Sequence, residues 1–184
     1  MILTGAEISR QVDKGRITID PFDERQLNPN SYNFRLGDVL KVYTNEVLDP
    51  RVPQPTRDIR IPPAGIALGP DRIHLGHTME VLGSEHYVPI VKGRSSSARL
   101  GIFVHVTADL IDIGSTGQVT LQLFAVQPVL VYPGMLIGQV TFWVPEGPIR
   151  LYEGKYQGSR GPVSSLIHRD FAGLPNGAGG DHDR

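Results

Sequence analysis

The sequence predicts a mainly β domain, a barrel or sandwich, with one short helix near its N-terminus. From Val39 to Val91 the apolar residues come in short runs, VLKVY, DIRIPPAGIAL, MEVLG and YVPIV, broken by Pro and Gly. Strands at such spacing belong to all-β architectures. Two further stretches, 101–106 and 118–124, alternate apolar and polar residues with the period of a half-buried strand. Helical spacing is confined to residues 3–13, and 184 residues suffice for one domain with a sizeable core.

Each element follows from its own residues. In LTGAEISRQVD, residues 3–13, Thr4 is the cap, Glu7 at the third helical position completes a capping box, and Leu3, Ile8 and Val12 form the buried stripe. RITIDPF is a strand ended by Pro21, and Tyr32, Phe34 and Leu36 alternate with Asn33 and Arg35 in a second one. His74, His77 and His86 show no metal-ligand spacing and are expected at the surface or in satisfied loops. A basic, hydroxyl-rich loop from Gly93 to Arg99 precedes the 101–106 strand, and a turn with Asp112 and Gly114 precedes 118–124. LVYPGMLIGQVTFWV reads as a strand pair about Pro133-Gly134, with Gln139 on its second strand. Beyond Pro145, glycines, tyrosines, Lys155 and Arg160 predict a mobile segment over 150–171 that closes on an anion through backbone N–H groups. Residues 172–184 have almost nothing to bury and are expected to be disordered.

A net charge of -1 and a pI near 6.6 leave no whole-protein field for nucleic acid or an anionic membrane, so any anion site is local. There is no bilayer-length apolar run and no signal-peptide core. The chain has no cysteine, which favours a cytoplasmic location and rules out disulfides. It also rules out the zinc site of the H-x-E…P-C-x-x-C nucleobase deaminases.

The local chemistry is concentrated after Lys92. Arg94 and Arg99 offer guanidinium forks beside the hydroxyls of Ser95, Ser96 and Ser97, a set suited to phosphate oxygens, although a solvated loop uses the same residues. Asp112 is placed either to meet a sugar hydroxyl or simply to cap its turn. His105 reads equally as a pocket residue or as a core histidine bonded to a carbonyl.

GRSSSARLG, HVTADLIDIGSTGQVTLQLF, YPGMLIGQVTF and GKYQGSRGPVSS, with NPNSYNFRLG near the start, resemble the motifs of the dCTP deaminase branch of the dCTP deaminase/dUTPase superfamily. The motifs keep the family order over roughly residues 1–171. The resemblance implies a single domain over 1–171 with a distorted, jelly-roll-like β-barrel of dUTPase type. It also implies a homotrimer whose sites are shared between neighbours, and a pyrimidine nucleoside triphosphate as substrate. The family reaction converts dCTP and water to dUTP and ammonia, in some members continuing to dUMP and pyrophosphate. Arg94, Ser95, Ser96 and Arg99 would contact phosphates, with a serine, Ser95, also holding the reacting water. His105, Val106, Thr107 and Ala108 would border the base, and Asp112 would receive the deoxyribose 3′-OH. Gln139 would lie near the phosphates, and Lys155, Tyr156 and Arg160 would reach the triphosphate from the closing segment. Mg2+ is expected on the phosphates and water rather than in a protein cage.

Three positions depart from the family pattern. Ser159 stands where many relatives carry a longer amide, and Leu110 where some carry Arg. The third decides chemistry: Gln122 occupies the position of the family's catalytic Glu. An amide keeps the shape of a carboxylate but cannot act as a general base at neutral pH. Losing that base costs ~10²–10⁴-fold in rate, so deamination is expected to be very poor. Three readings of Gln122 follow: a deliberate Glu→Gln replacement that traps substrate, a natural diphosphohydrolase working through Asp112, or a non-catalytic nucleotide-binding trimer.

Overall fold

The helix α1 (Gly5–Asp13) starts at Thr4, whose hydroxyl accepts from the Glu7 amide at 3.4 Å. The reciprocal half of the capping box does not form, because the Glu7 carboxylate turns along the helix to Arg10 and Gln11. Leu3 and Ile8 are buried as expected, Gln11 joins them, and Val12 is half-buried. The structure, a computed structural model, describes residues 1–105 and 108–172.

The strands are β1 (Thr18–Asp20), β2 (Leu27–Asn28), β3 (Ser31–Arg35), β4 (Val39–Tyr43), β5 (Thr56–Arg60), β6 (Ile66–Leu68), β7 (His74–Gly83) and β8 (Val88–Gly93). After a one-turn helix, α2 (Ser95–Arg99), come β9 (Ile102–Phe103), β10 (Thr116–Ala125), β11 (Val129–Val131) and β12 (Leu136–Trp143). One sheet runs β2-β3-β12-β8, and a larger one runs β5-β4-β7-β10-β9 with β1 also on β7. A small β11-β6 ladder completes the body, and all these pairings are antiparallel. One face of the first sheet, with Tyr32, Phe34, Val140 and Phe142, packs on Leu40, Leu121 and Leu123 of the second in a single core. Burial of such side chains, at about 1.5–3 kcal/mol each, is the main force holding the sheets together.

Four local expectations need correction. The basic loop after Gly93 closes into α2, where the Ala98 amide donates to Arg94 O at 2.9 Å. The strand expected over 101–106 is reduced, among the described residues, to Ile102 and Phe103. β11 and β12 are not each other's partners: β11 pairs with β6, and β12 lies between β3 and β8. The Pro133-Gly134 turn reverses the chain without dictating which strand is met next. Finally, His74 and His77 are core residues, 7% and 6% exposed, because β7 is covered on both faces. The His77 ring fits only because residue 37 is Gly; a Cβ there would lie 2.0 Å from His77 Cε1.

Candidate active site

β10 positions the site. Its period of two sends Leu121, Leu123 and Ala125 into the core and leaves Gln118, Thr120 and Gln122 on the opposite face. Beside β7 the ladder shifts register between Gln118 and Thr120, and Thr78 absorbs the irregularity. Its hydroxyl accepts from the Val119 amide at 2.9 Å and donates to Glu80 O at 2.7 Å.

The chain from Tyr152 to Ser165 is laid along the other side of β10. Two backbone bonds, Gly158 N to Thr116 O and Gln118 N to Ser159 O, both 2.9 Å, begin a strand-like pairing. Side chains continue it. Gln157 Oε1 accepts from the Thr116 amide at 2.8 Å, and Gln118 Oε1 accepts from the Gly161 amide at 2.7 Å. Thr120 Oγ1 accepts from Val163 N at 3.1 Å, and the Tyr43 hydroxyl from Ser165 N at 2.8 Å. Gly117 permits this approach: a Cβ there would be 2.8 Å from Ser159 N.

Between this segment and β10 lies a cavity of about 470 Å³, in the size range of a small-ligand site. Ala108, Asp112, Gln122, Tyr156 and Ser159 line it, so these five expected site residues are brought together. Leu75, Leu82, Ile111 and Val119 make much of the rest apolar. Asp112 is the one carboxylate among the described lining residues. Its turn is closed by its backbone carbonyl, which accepts from Ser115 N at 3.0 Å, so its exposed side chain is not spent on capping. Gln122 Nε2 donates to Thr120 O at 3.2 Å, while Gln122 Oε1 is buried without a partner. A buried orphan acceptor is costly, and a ligand N–H would relieve it.

A second group lies elsewhere. Arg94, Ser95, Ser96, Arg99 and Gln139 do not line the cavity. Arg94 caps the start of α2 and its Nη1 donates to Leu136 O at 3.3 Å. Arg99 donates to Ser95 O at 3.2 Å, and both serines are exposed. Gln139 joins this group: its Nε2 donates to Gly93 O at 3.1 Å and its Oε1 accepts from Ser31 Oγ at 2.7 Å. Lys155 Nζ sits 2.6 Å from both carboxylate oxygens of Asp170, 5.8 Å over the Tyr156 ring, and Arg160 is exposed. His105 is half-buried, and burial holds its pKa below the ordinary histidine value against the pull of Asp109. Asp109 itself is held low by Lys92, next to the Arg94 loop, and its carbonyl accepts from Val91 N at 2.8 Å. Val106 and Thr107 lie outside the described residues, as do residues 173–184 of the tail.

A family model described as dCTP deaminase-like matches residues 2–144. The chain belongs to the dCTP deaminase family. It is 46% identical over 172 residues to a "dCTP deaminase, dUMP-forming" of Clostridium beijerinckii, covering 93% of this chain and 99% of that protein. Proteins of the same description from Cytophaga hutchinsonii and Leptospira biflexa are 45% and 44% identical, again over 93% of this chain and 99% and 98% of theirs. The crystal structure of a 2'-deoxycytidine 5'-triphosphate deaminase from Agrobacterium tumefaciens shares the fold, with a TM-score of 0.62 and 21% identity. That match covers 78% of this chain and spans about half, 48%, of the Agrobacterium chain.

Within the dCTP deaminase fold, sequence reasoning missed Tyr43, Gln118 and Thr120, which hold the cavity's outer wall. For Gln118 and Thr120 the available signal was a polar side chain at alternate positions of β10, whereas Tyr43 reaches the site from the end of β4. It also missed a buried polar group: Glu80, wholly inaccessible, bonded to Arg35 and Gln26. Tyr32 stands beside it with its phenol pKa pushed up to about 12, chiefly by burial. No described helix is long and apolar enough to cross a membrane.

Proposed function

We propose that this protein binds a pyrimidine deoxynucleoside triphosphate in the β10 cavity and, as a family member carrying Gln122, is a very poor deaminase. The observation that carries this reading is the lining of the cavity: Gln122 lines it, and Asp112 is the only carboxylate among the described lining residues. The resemblance supplies the rest, since it gives the position of Gln122 to a catalytic Glu. Hydrolytic deamination adds water at C4 of cytosine and expels ammonia. One group must take a proton from water and return protons to N3 and to the leaving amine. An amide offers hydrogen bonds to the base and none of these transfers.

Release of pyrophosphate needs no base at Gln122. In that step water attacks the α-phosphorus, the α–β anhydride bond breaks, and a nucleoside monophosphate and pyrophosphate leave. Asp112, exposed at the cavity with no hydrogen bond to its carboxylate among the described residues, supports a role in orienting that water or the 3′-OH. The relatives' name, "dCTP deaminase, dUMP-forming", favours this second activity over a purely binding role.

In this reading the phosphate contacts come from Arg94, Ser95, Ser96, Arg99 and Gln139 of a neighbouring subunit, since those residues do not line the same chain's cavity. A homotrimer with shared sites follows, and the exposed Leu100, Phe103 and Val126 supply apolar surface for it. Lys155, Tyr156, Ser159 and Arg160 belong to a segment, 150–171, that opens to admit the nucleotide and closes on it. Mg2+ rides on the phosphates, whose charge it screens. The enzyme works on the free nucleotide pool of the cytoplasm.

The test is product analysis with dCTP and dUTP in Mg2+, quantifying ammonia, nucleotides and pyrophosphate. Pyrophosphate from the unmodified chain, abolished in Asp112→Asn, is expected. Rapid ammonia release from dCTP with Gln122 in place would overturn the reading.

A further inference from the structure

Alternation along β3, β12 and β8 gives the smaller sheet two unlike faces. Gln139 is opposite both Asn33 and Lys92, so Ser31, Asn33 and Arg35 share one face with Gln139, Lys92 and, one step past β8, Arg94. The other face is the core. The polar face therefore extends past the Arg94 loop, and Arg35 is its unexplained member.

Arg35 bonds Glu80 of β7 twice: its backbone amide donates to Oε2 at 2.9 Å and its Nε to Oε1 at 2.7 Å. Gln26 Nε2 adds a third donor to that carboxylate at 3.2 Å and also holds Asn33 O at 2.6 Å. Glu80 is 0% exposed while Arg35 is 26% exposed. The carboxylate thus fixes one edge of the guanidinium plane. The two terminal nitrogens make no hydrogen bond among the described residues, and neither is a sealed, partnerless atom. Leu136, the residue paired with Arg35, is also the one whose carbonyl receives Arg94 Nη1. A guanidinium can serve two anions at once, one on each edge of its fork.

We propose that Arg35 is a further phosphate ligand, its free edge meeting the terminal phosphates of a nucleoside triphosphate gripped by Arg94. Glu80 and Gln26 act as positioning residues behind it. The inference rests on the nucleotide reading above and assigns Arg35 a second duty besides neutralising a buried carboxylate.

The experiment is calorimetric titration of the wild type and Arg35→Lys with dUMP and with the α,β-imido analogue of dUTP, in Mg2+. Lysine keeps a positive charge for Glu80 but has no second edge. The expected result is a loss of ~10-fold or more in affinity for the analogue, the worth of one hydrogen bond to a charged group. Affinity for dUMP should not change. Equal losses for both ligands, or none, would overturn the proposal while leaving the nucleotide reading intact. A wild type that binds neither ligand would overturn both. Should Arg35→Lys fail to fold, the wild type still decides. Phenylglyoxal modification of Arg35, followed by mass spectrometry, should be blocked by inorganic tripolyphosphate, and an unchanged rate would overturn the assignment.

Discussion

At the scale of single residues, Gln122 carries the most chemistry. Gln122→Glu is expected to raise ammonia release from dCTP by ~10² or more, because it supplies the missing general base. Steady-state ammonia assays check this. The same change removes the N–H that now serves Thr120 O, so the new carboxylate must turn away from that carbonyl and towards the ligand. Histidines set the acid response. Burial holds His74 and His105 below the ordinary value of 6.5. The folded chain keeps them neutral while the unfolded chain takes up protons, so their contribution is intact above about pH 6.5 and stability falls as pH drops below it. Tm measured from pH 7.5 to pH 5 should decline, and His74→Asn should flatten the decline. The placement of Gln122 on the face of β10 opposite the core was legible in the sequence, because strand alternation is local. The burial of His74 was not: it depends on what covers both faces of β7, and no local pattern states that.

At the scale of elements, the stretch after Tyr152 is held to β10 by side-chain amides as much as by backbone. Gln157→Ala strips partners from the Thr116 amide and from Gly114 O, to which Gln157 Nε2 donates at 2.8 Å. A local cost of about 1–3 kcal/mol is expected. Hydrogen exchange over residues 157–163 should quicken while exchange in β7 stays slow. Gly117→Ala acts on the same contact from the other side, since its Cβ would press on the Ser159 backbone; it should weaken nucleotide binding with little change in Tm. Most strands were legible because their alternation is local: β3, β4 and β10 lie where their apolar periods place them. α2 was not, for SSSAR has no apolar stripe and one turn is too short to declare a period. The partners of β11 and β12 were hidden for a different reason. A turn specifies a reversal of the chain, and the strand that is met afterwards is chosen by the whole core.

At the scale of the whole molecule, the five residues around the cavity and the arginine-rich group at the end of β8 lie apart within one chain, and the proposal above makes them two halves of a shared site. If neighbours complete each other, mixing Asp112→Asn subunits with Arg94→Ala subunits should yield mixed trimers with restored pyrophosphate release, although each variant alone is inactive. Subunit exchange followed by activity measurement checks it, and sedimentation of Phe103→Asp should show loss of the trimer. The expectation of sites shared between neighbours came from the family resemblance alone, since spacing along a chain is silent about which copy a residue serves. The cavity wall has a further consequence. The last strand of the body ends at Trp143 and the family model at residue 144, although likeness to the relatives runs on over 172 residues. Tyr152, Tyr156 and Ser159 close the cavity from this later stretch. The strands of the body and part of the wall that meets a ligand are thus written in different stretches of the gene. Lineages can revise the second without endangering the first, and exchanging the last forty or so residues between relatives is a route to new nucleotide preferences on an unchanged body.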